Sequence, residues 1–432
     1  MPTTQRLAWA LTVIALLYSG VHFAQSGILF PLRQQNLEKF AEQTPALREH
    51  LRTGQPVHFD NAVQYGPVFF FVMHPLILGT HSDHELSNWL YSLQLVCIVA
   101  SFLLMWATLW PFVHPRGRPL VTAWLAVVWL NFSPLYTILV LKSVETWELL
   151  LLSLALFAYV RAKTWLMALA LAAAGLVKVL PLIFFYYLLM TNRRAFARAC
   201  VALLALLLIS HALYGPEMGL SYLPHVAKAA AGRSFGLTWH ENLSLKAAVA
   251  KLFGHLKVPS EGRLIDFTIV LTDAQLKAAT ILGDIAVLIG LALLTWTWLR
   301  GAVRASETIL WEWSLTAVAM LILSPNTTFE YATLVLGSIS YALVRLVGSP
   351  PRVEADPRTW GYLGGAMFLL GVLLPRQVLN RLTFVNTLNR WTGYTHLTPS
   401  EAYQYYCFPL LGLLLLVAAL WRLRPLVPRP AS

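Results

Sequence analysis

A chain that sets one apolar stretch after another, many near or above the ~20 residues that cross a bilayer, has few folds open to it. Here apolar segments fall at 7–24, 67–80, 86–113, 119–141, 146–160, 164–177, 180–191, 198–214, 276–299, 307–323, 328–346, 359–375 and 405–421. Lipid offers backbone groups no partner, so each segment must close its own hydrogen bonds as helix. Only 12% of the residues are charged, where a soluble domain carries roughly 25%. The expected fold is an all-α polytopic membrane protein with about 11 to 13 transmembrane helices. Residues 1–432 are expected to form a single integral membrane domain. Stretch 7–20 has neither a multiply charged start nor an A-x-A-like cleavage site. It therefore reads as a retained first span rather than a signal peptide.

The net charge is +12. A basic balance suits nucleic acid, but many Arg and Lys lie in short loops, where the positive-inside rule and anionic headgroups account for them. The expected partners are membrane lipids, with no nucleic acid. Arg6 places the N-terminus inside, and Arg422, Arg424 and Arg429 place the C-terminus inside. Three polar loops, 25–65, 215–272 and 376–404, then lie on the external face. Strict alternation also puts Arg116 and Arg118 outside, against the rule. Either a re-entrant 67–80 or a break of 119–141 at Ser133-Pro134 resolves that conflict. In loop 25–65, segments 37–42 and 46–51 carry apolar residues at helical spacing and are expected as short amphipathic helices on the membrane. Cys97, Cys200 and Cys407 match neither a metal site nor a disulfide framework. Short inner loops leave no room for a nucleotide-binding domain and point to a prokaryotic plasma membrane.

The most informative local feature is Ala173-Ala174-Gly175-Leu176-Val177-Lys178-Val179-Leu180-Pro181. It places an ammonium group between two apolar segments, which is costly unless the group meets a partner. Arg161 and Lys163 before the hairpin, with Arg193, Arg194 and Arg198 after it, mark both its ends as cytoplasmic. The Lys178 tip then points to the external side, where a cation can bind a phosphate. Lys142-Ser143-Val144-Glu145-Thr146-Trp147-Glu148 opens another segment. Glu145 and Glu148 lie three apart and share a helix face; the plainer reading is an acidic helix N-terminus. Loop 25–65 holds Glu38, Glu42, Glu49 and Asp60, any of which can take a proton from an acceptor hydroxyl or be an ordinary solvated charge. Trp239-His240-Glu241-Asn242-Leu243-Ser244-Leu245 combines an aromatic face with amide and hydroxyl groups, as sugar binding requires. An interfacial Trp with Asn as a helix cap is its plainer reading. Glu330 follows the turn Ser324-Pro325-Asn326-Thr327-Thr328. No P-loop, dinucleotide fingerprint, zinc motif or nucleophile elbow occurs.

Taken in order, these elements resemble the glycosyltransferase C superfamily, and more closely the polyprenol-phosphate-mannose-dependent mannosyltransferases of glycosyltransferase family 87. Tyr65-Gly66-Pro67 is similar to a Tyr-Pro-Pro motif that ends the first external loop. Ser143 to Glu148 stands in place of a Gly-Gln-x-Asn/Glu motif, and Ala174 to Pro181 is a near match to Ala-Gly-x-x-x-Lys-x-x-Pro. Asn242-Leu243-Ser244-Leu245 and Leu323-Ser324-Pro325 match two later motifs, so the resemblance covers about residues 7–346. It implies a glycosyltransferase C-type bundle and inverting transfer of a hexose, mannose by the family's habit, from a polyprenyl-phosphate sugar to a lipid-linked or glycan acceptor. It implies Lys178 at the donor phosphate and a loop carboxylate as base. Tyr65, Glu145, Glu148, Trp239, Asn242, Ser244 and Glu330 are the sugar or acceptor contacts expected. No cofactor is implied, and a donor with a single phosphate does not demand a divalent metal.

The chain departs from the family where an aspartate usually follows the first span: residues 25–37 contain no acid. Asp60, Glu42 and Glu38 are the three candidates for the base. Ser143 and Glu145 also replace the usual Gly and Gln. Two other readings fit a polytopic membrane protein. A transporter or flippase of lipid-linked or small solutes should show internal repeats and broken helices meeting at the midplane. A polymerase or ligase taking a lipid pyrophosphate would use further cations in the large loop, such as Arg233.

Overall fold

The computed structural model describes residues 3–33, 43–57, 65–231, 235–239, 241–257, 268–300, 305–348, 356–372, 387, 389–390 and 399–425. These residues are overwhelmingly helical, and the protein is an all-α polytopic membrane protein. Among the described residues six helices are long and apolar enough to cross a membrane: Trp9–Leu32, Asp83–Phe112, Arg193–Tyr214, Asp273–Leu299, Ser306–Leu323 and Phe329–Val347. Pro67–Leu78, Thr164–Val177, Leu180–Thr191 and Phe408–Arg422 are shorter apolar helices. Many large side chains on the long helices, such as Leu17, Val96, Leu204 and Leu288, are exposed. An apolar exterior of this kind suits lipid as the surrounding solvent.

Several local expectations are met, and others change. The 119–141 segment is broken where Ser133-Pro134 stands, into helices Arg118–Leu130 and Ser133–Leu141. Proline lacks the N–H that a continuous helix would need there, and Ser133 N instead donates to Gly371 O. Pro67–Leu78 is one continuous short helix. In the first loop, Gln43–Thr53 is helical over the expected 46–51, while 37–42 lies outside the described residues. The first apolar helix does not stop at residue 24. It runs on through a π-helical Phe23–Leu29 to Arg33, because Ile28 to Leu32 extends the apolar run. The large 215–272 loop folds partly as a two-stranded antiparallel pair, His255–Lys257 with Thr268–Val270, which the helical reading did not anticipate. The flanking Pro259 and Gly262 are helix breakers, and the strands alternate exposed and buried residues.

The chain divides into two compact units. One consists of Val21–Leu104 with Pro134–Gly236. Its core gathers Tyr65, Phe69, Phe70, Met73, Val144, Trp147, Leu176, Val177, Tyr214 and Tyr222. Tyr65 stacks on Phe69 at 4.9 Å between ring centroids, and Phe69 stacks on Trp147 at 6.0 Å. The other consists of Met1–Gly20, Met105–Ser133 and Leu237–Ser432. Its helices are tied by polar side chains reaching across apolar faces, as packed helices in lipid commonly are. Trp129 Nε1 donates to Ser340 Oγ at 3.0 Å, Ser338 Oγ to Ser314 O at 2.9 Å, and Trp311 Nε1 to Leu420 O at 2.6 Å.

Candidate functional site

The break after helix Thr164–Val177 is built by Pro181. A continuous helix would drive its ring into the Val177 carbonyl four residues back. The chain therefore leaves the helix at Lys178, which is extended at φ −146°, ψ 155°, and resumes as the 3₁₀ turn Leu180–Leu182. The freed Val177 carbonyl accepts a hydrogen bond from Gly66 N at 2.9 Å. Glycine is required at this approach. A Cβ on residue 66 would lie 2.2 Å from Leu176 O and 2.7 Å from the Tyr222 hydroxyl. One bond thus fastens the Tyr65-Gly66-Pro67 segment to the Lys178 break and sets Tyr65 beneath the lysine.

Helix Glu145–Val160 brings two carboxyl groups to the same place. The preceding helix is followed by Lys142, left-handed at φ 53°, and Ser143 N closes back on Ile138 O at 3.3 Å. A helix C-terminus commonly ends in such a left-handed residue. The tight turn that follows starts the next helix at once, with Glu145 and Glu148 in its first turn, where the helix dipole favours acids. The turn is held from outside by Gln94 Nε2, which donates to Ser143 O at 2.8 Å.

The resulting cluster is buried. Lys178 Nζ donates to Glu145 Oε1 at 2.5 Å and lies 5.1 Å from the centre of the Tyr65 ring. Glu145 and Glu148 are fully buried and Lys178 is 9% exposed. Among the described residues neither oxygen of Glu148 has a hydrogen-bond partner. The same is true of Ser143 Oγ, Thr146 Oγ1 and Trp147 Nε1. Buried polar groups are paired as a rule, so this density of unpaired atoms in one turn makes it the candidate site. Tyr222, which the sequence reading missed, joins the cluster from helix Tyr222–Ala231. Burial raises the pKa of its hydroxyl, the Glu148 carboxylate adds to the rise, and Lys178 opposes it. No spacing signal in the sequence links Tyr222 to Lys178.

Lys178, Glu145, Glu148 and Tyr65 are therefore brought together in one unit. Trp239, Asn242, Ser244 and Glu330 belong to the other. There Asn242 is buried as a clasp: its Oδ1 accepts from Ser244 N and Thr327 N, both at 3.0 Å, and its Nδ2 donates to Pro325 O at 2.9 Å. Ser244, not Asn242, caps helix Leu245–Phe253 by accepting from Ala247 N. Trp239 is half-buried and pairs with Thr268. Glu330 is buried in the 3₁₀ turn Phe329–Val335 that follows the clasped turn. A half-buried cation, Lys251, was also missed. Its Nζ donates to Asn242 O at 2.8 Å and Gln404 O at 3.2 Å, with Cys407 Sγ at 3.5 Å. Its place in the last turn of Leu-Lys-Ala-Ala-Val-Ala-Lys-Leu-Phe gave only the appearance of an amphipathic face. Asp60, Glu42, Glu38, His240 and Arg233 lie outside the described residues.

The family model of glycosyltransferase family 87 matches residues 64–325, more than half of the chain. The match takes in Tyr65, Glu145, Glu148, Lys178, Trp239, Asn242 and Ser244. It leaves out Glu38, Glu42, Asp60 and Glu330. No curated protein matches the chain.

Proposed function

Because the chain belongs to glycosyltransferase family 87, we propose that it transfers a hexose, mannose by resemblance, from a polyprenyl-phosphate sugar to a lipid-linked or glycan acceptor. The reaction takes place on the external face of a prokaryotic plasma membrane. The observation that carries this reading is the buried Lys178 ammonium, set at a helix break between a tyrosine ring and two carboxyl groups. A cation so placed inside a membrane protein is a functional group by default, and a phosphate is the anion that a membrane glycosyltransferase has to hold.

In this reading Lys178 holds the donor phosphate and stabilises the charge that grows on it as it leaves. A carboxylate of the first loop, Asp60, Glu42 or Glu38, takes the proton of the acceptor hydroxyl. The acceptor oxygen bonds to the anomeric carbon from the face opposite the phosphate. The bond from that carbon to the phosphate oxygen breaks, its electron pair leaves with the phosphate, and configuration inverts. Tyr65, Glu145 and Glu148 beside Lys178 are the proposed sugar contacts; Trp239, Asn242, Ser244 and Glu330 are kept as separate candidates for sugar or acceptor binding.

The test is sugar transfer from radiolabelled polyprenyl-phosphate mannose in membranes containing the full chain. Wild type is expected to transfer, and Lys178→Ala to lose about 100-fold or more, as removal of a charge-stabilising donor does. Asp60→Asn losing as much would make Asp60 the base; an active Asp60→Asn would move that role to Glu42 or Glu38. No transfer by wild type with any polyprenyl-phosphate sugar would overturn the reading and leave a transporter or flippase of lipid-linked solutes in its place.

A further inference from the structure

We propose that Glu145 holds the place of the donor phosphate at Lys178, and that an entering glycosyl phosphate displaces this carboxylate from the ammonium. The inference rests on Lys178 as the phosphate-binding residue and adds how that residue is kept when no donor is bound.

Three observations carry it. Lys178 Nζ is 2.5 Å from Glu145 Oε1 with both groups buried. A buried ammonium without a counter-ion is strongly unfavourable, so a resting protein needs one, and Glu145 supplies it. Next, Glu148 lies three residues on, fully buried, with neither oxygen hydrogen-bonded among the described residues. A second carboxyl group thus lies on the same helix turn as the ammonium's partner. A phosphate brings a further negative charge, and like charges at contact distance in a site of lowered dielectric repel strongly. Phosphate and Glu145 carboxylate therefore exclude each other at Lys178. Lastly, Ser143 Oγ, Thr146 Oγ1 and Trp147 Nε1 are buried donors on the same turn, unpaired among the described residues. An anion joined to a ring of hydroxyls satisfies a cation and such a set together, and a glycosyl phosphate has that composition. The exchange makes and breaks ionic contacts only.

The test is binding of a short-chain polyprenyl monophosphate to the purified full-length chain by calorimetry, with the corresponding polyprenol as control. Wild type is expected to bind the phosphate and not the alcohol. Glu145→Gln, which removes the competing charge and keeps the shape, is expected to bind at least about tenfold tighter, the scale of one close charge contact. Lys178→Ala is expected to abolish binding, and Glu145→Gln added to Lys178→Ala to restore none of it. Weaker or unchanged binding by a folded Glu145→Gln would overturn the exchange and make Glu145 a residue that only positions Lys178. Should Glu145→Gln not fold, Glu145→Asp, which withdraws the carboxylate by one methylene, is expected to bind a few-fold tighter, and equal or weaker binding again overturns the exchange. Absence of binding by both wild type and Glu145→Gln would instead remove Lys178 as the phosphate residue.

Discussion

At the scale of single residues, the site depends on contacts that a small change destroys. Gly66 is the sharpest case. Its N–H holds the Val177 carbonyl, and any Cβ meets the Leu176 carbonyl and the Tyr222 hydroxyl. Gly66→Ala is expected to cost about 1–3 kcal/mol, as overpacking does, and to move Tyr65 off Lys178. A lowered unfolding midpoint together with reduced transfer checks this; a variant with wild-type stability and transfer would mean that Gly66 does not set the approach. Lys178 and Glu145 were legible beforehand, because charged residues inside apolar runs stand out in any reading of the chain. Tyr222 was not, since its place beside Gly66 depends on a helix that packs back from more than a hundred residues away.

At the scale of elements, the clasp between 242–244 and 325–327 holds the start of helix Leu245–Phe253. Asn242→Ala leaves the buried Thr327 and Ser244 amides without their acceptor, a loss of about 1–3 kcal/mol for each unsatisfied group. The expected result is a lower unfolding midpoint with early proteolytic cutting between 241 and 257; an unchanged midpoint would leave the clasp without energetic weight. Lys251 in that helix gives a pH signature. Burial holds its ammonium below the ordinary 10.5, with Cys407 and Glu241 opposing. The folded chain therefore loses this proton at lower pH than the unfolded chain. Stability rises with pH between the lowered value and 10.5, because the unfolded state binds more protons there. The difference in melting temperature between wild type and Lys251→Met, followed from neutral to alkaline pH, is expected to climb in favour of wild type. A difference independent of pH would show that Lys251 titrates alike in both states.

At the scale of the whole molecule, the charge pattern sets a testable orientation. Lys257 and Arg116 are both exposed. With the three native cysteines replaced by serine, Lys257→Cys is expected to react with an impermeant thiol reagent from outside intact cells. Arg116→Cys is expected to react only after permeabilisation. The reverse pattern would invert the proposed face of transfer.

Class and local breaks were determined by the sequence alone. Long apolar runs admit only helices in lipid, and prolines at 134 and 181 end helices wherever those helices lie. Pairing was decided by tertiary structure. Which carboxylate reaches Lys178, that Tyr65 lies under it, that Asn242 bonds a turn 83 residues away and that Lys251 is half-buried all follow from packing between distant segments. The physical reason is the range of the forces involved. Backbone hydrogen bonding and proline sterics act within about four residues and are written in local order. Ion pairs and buried amides act between whatever surfaces the packed helices bring together.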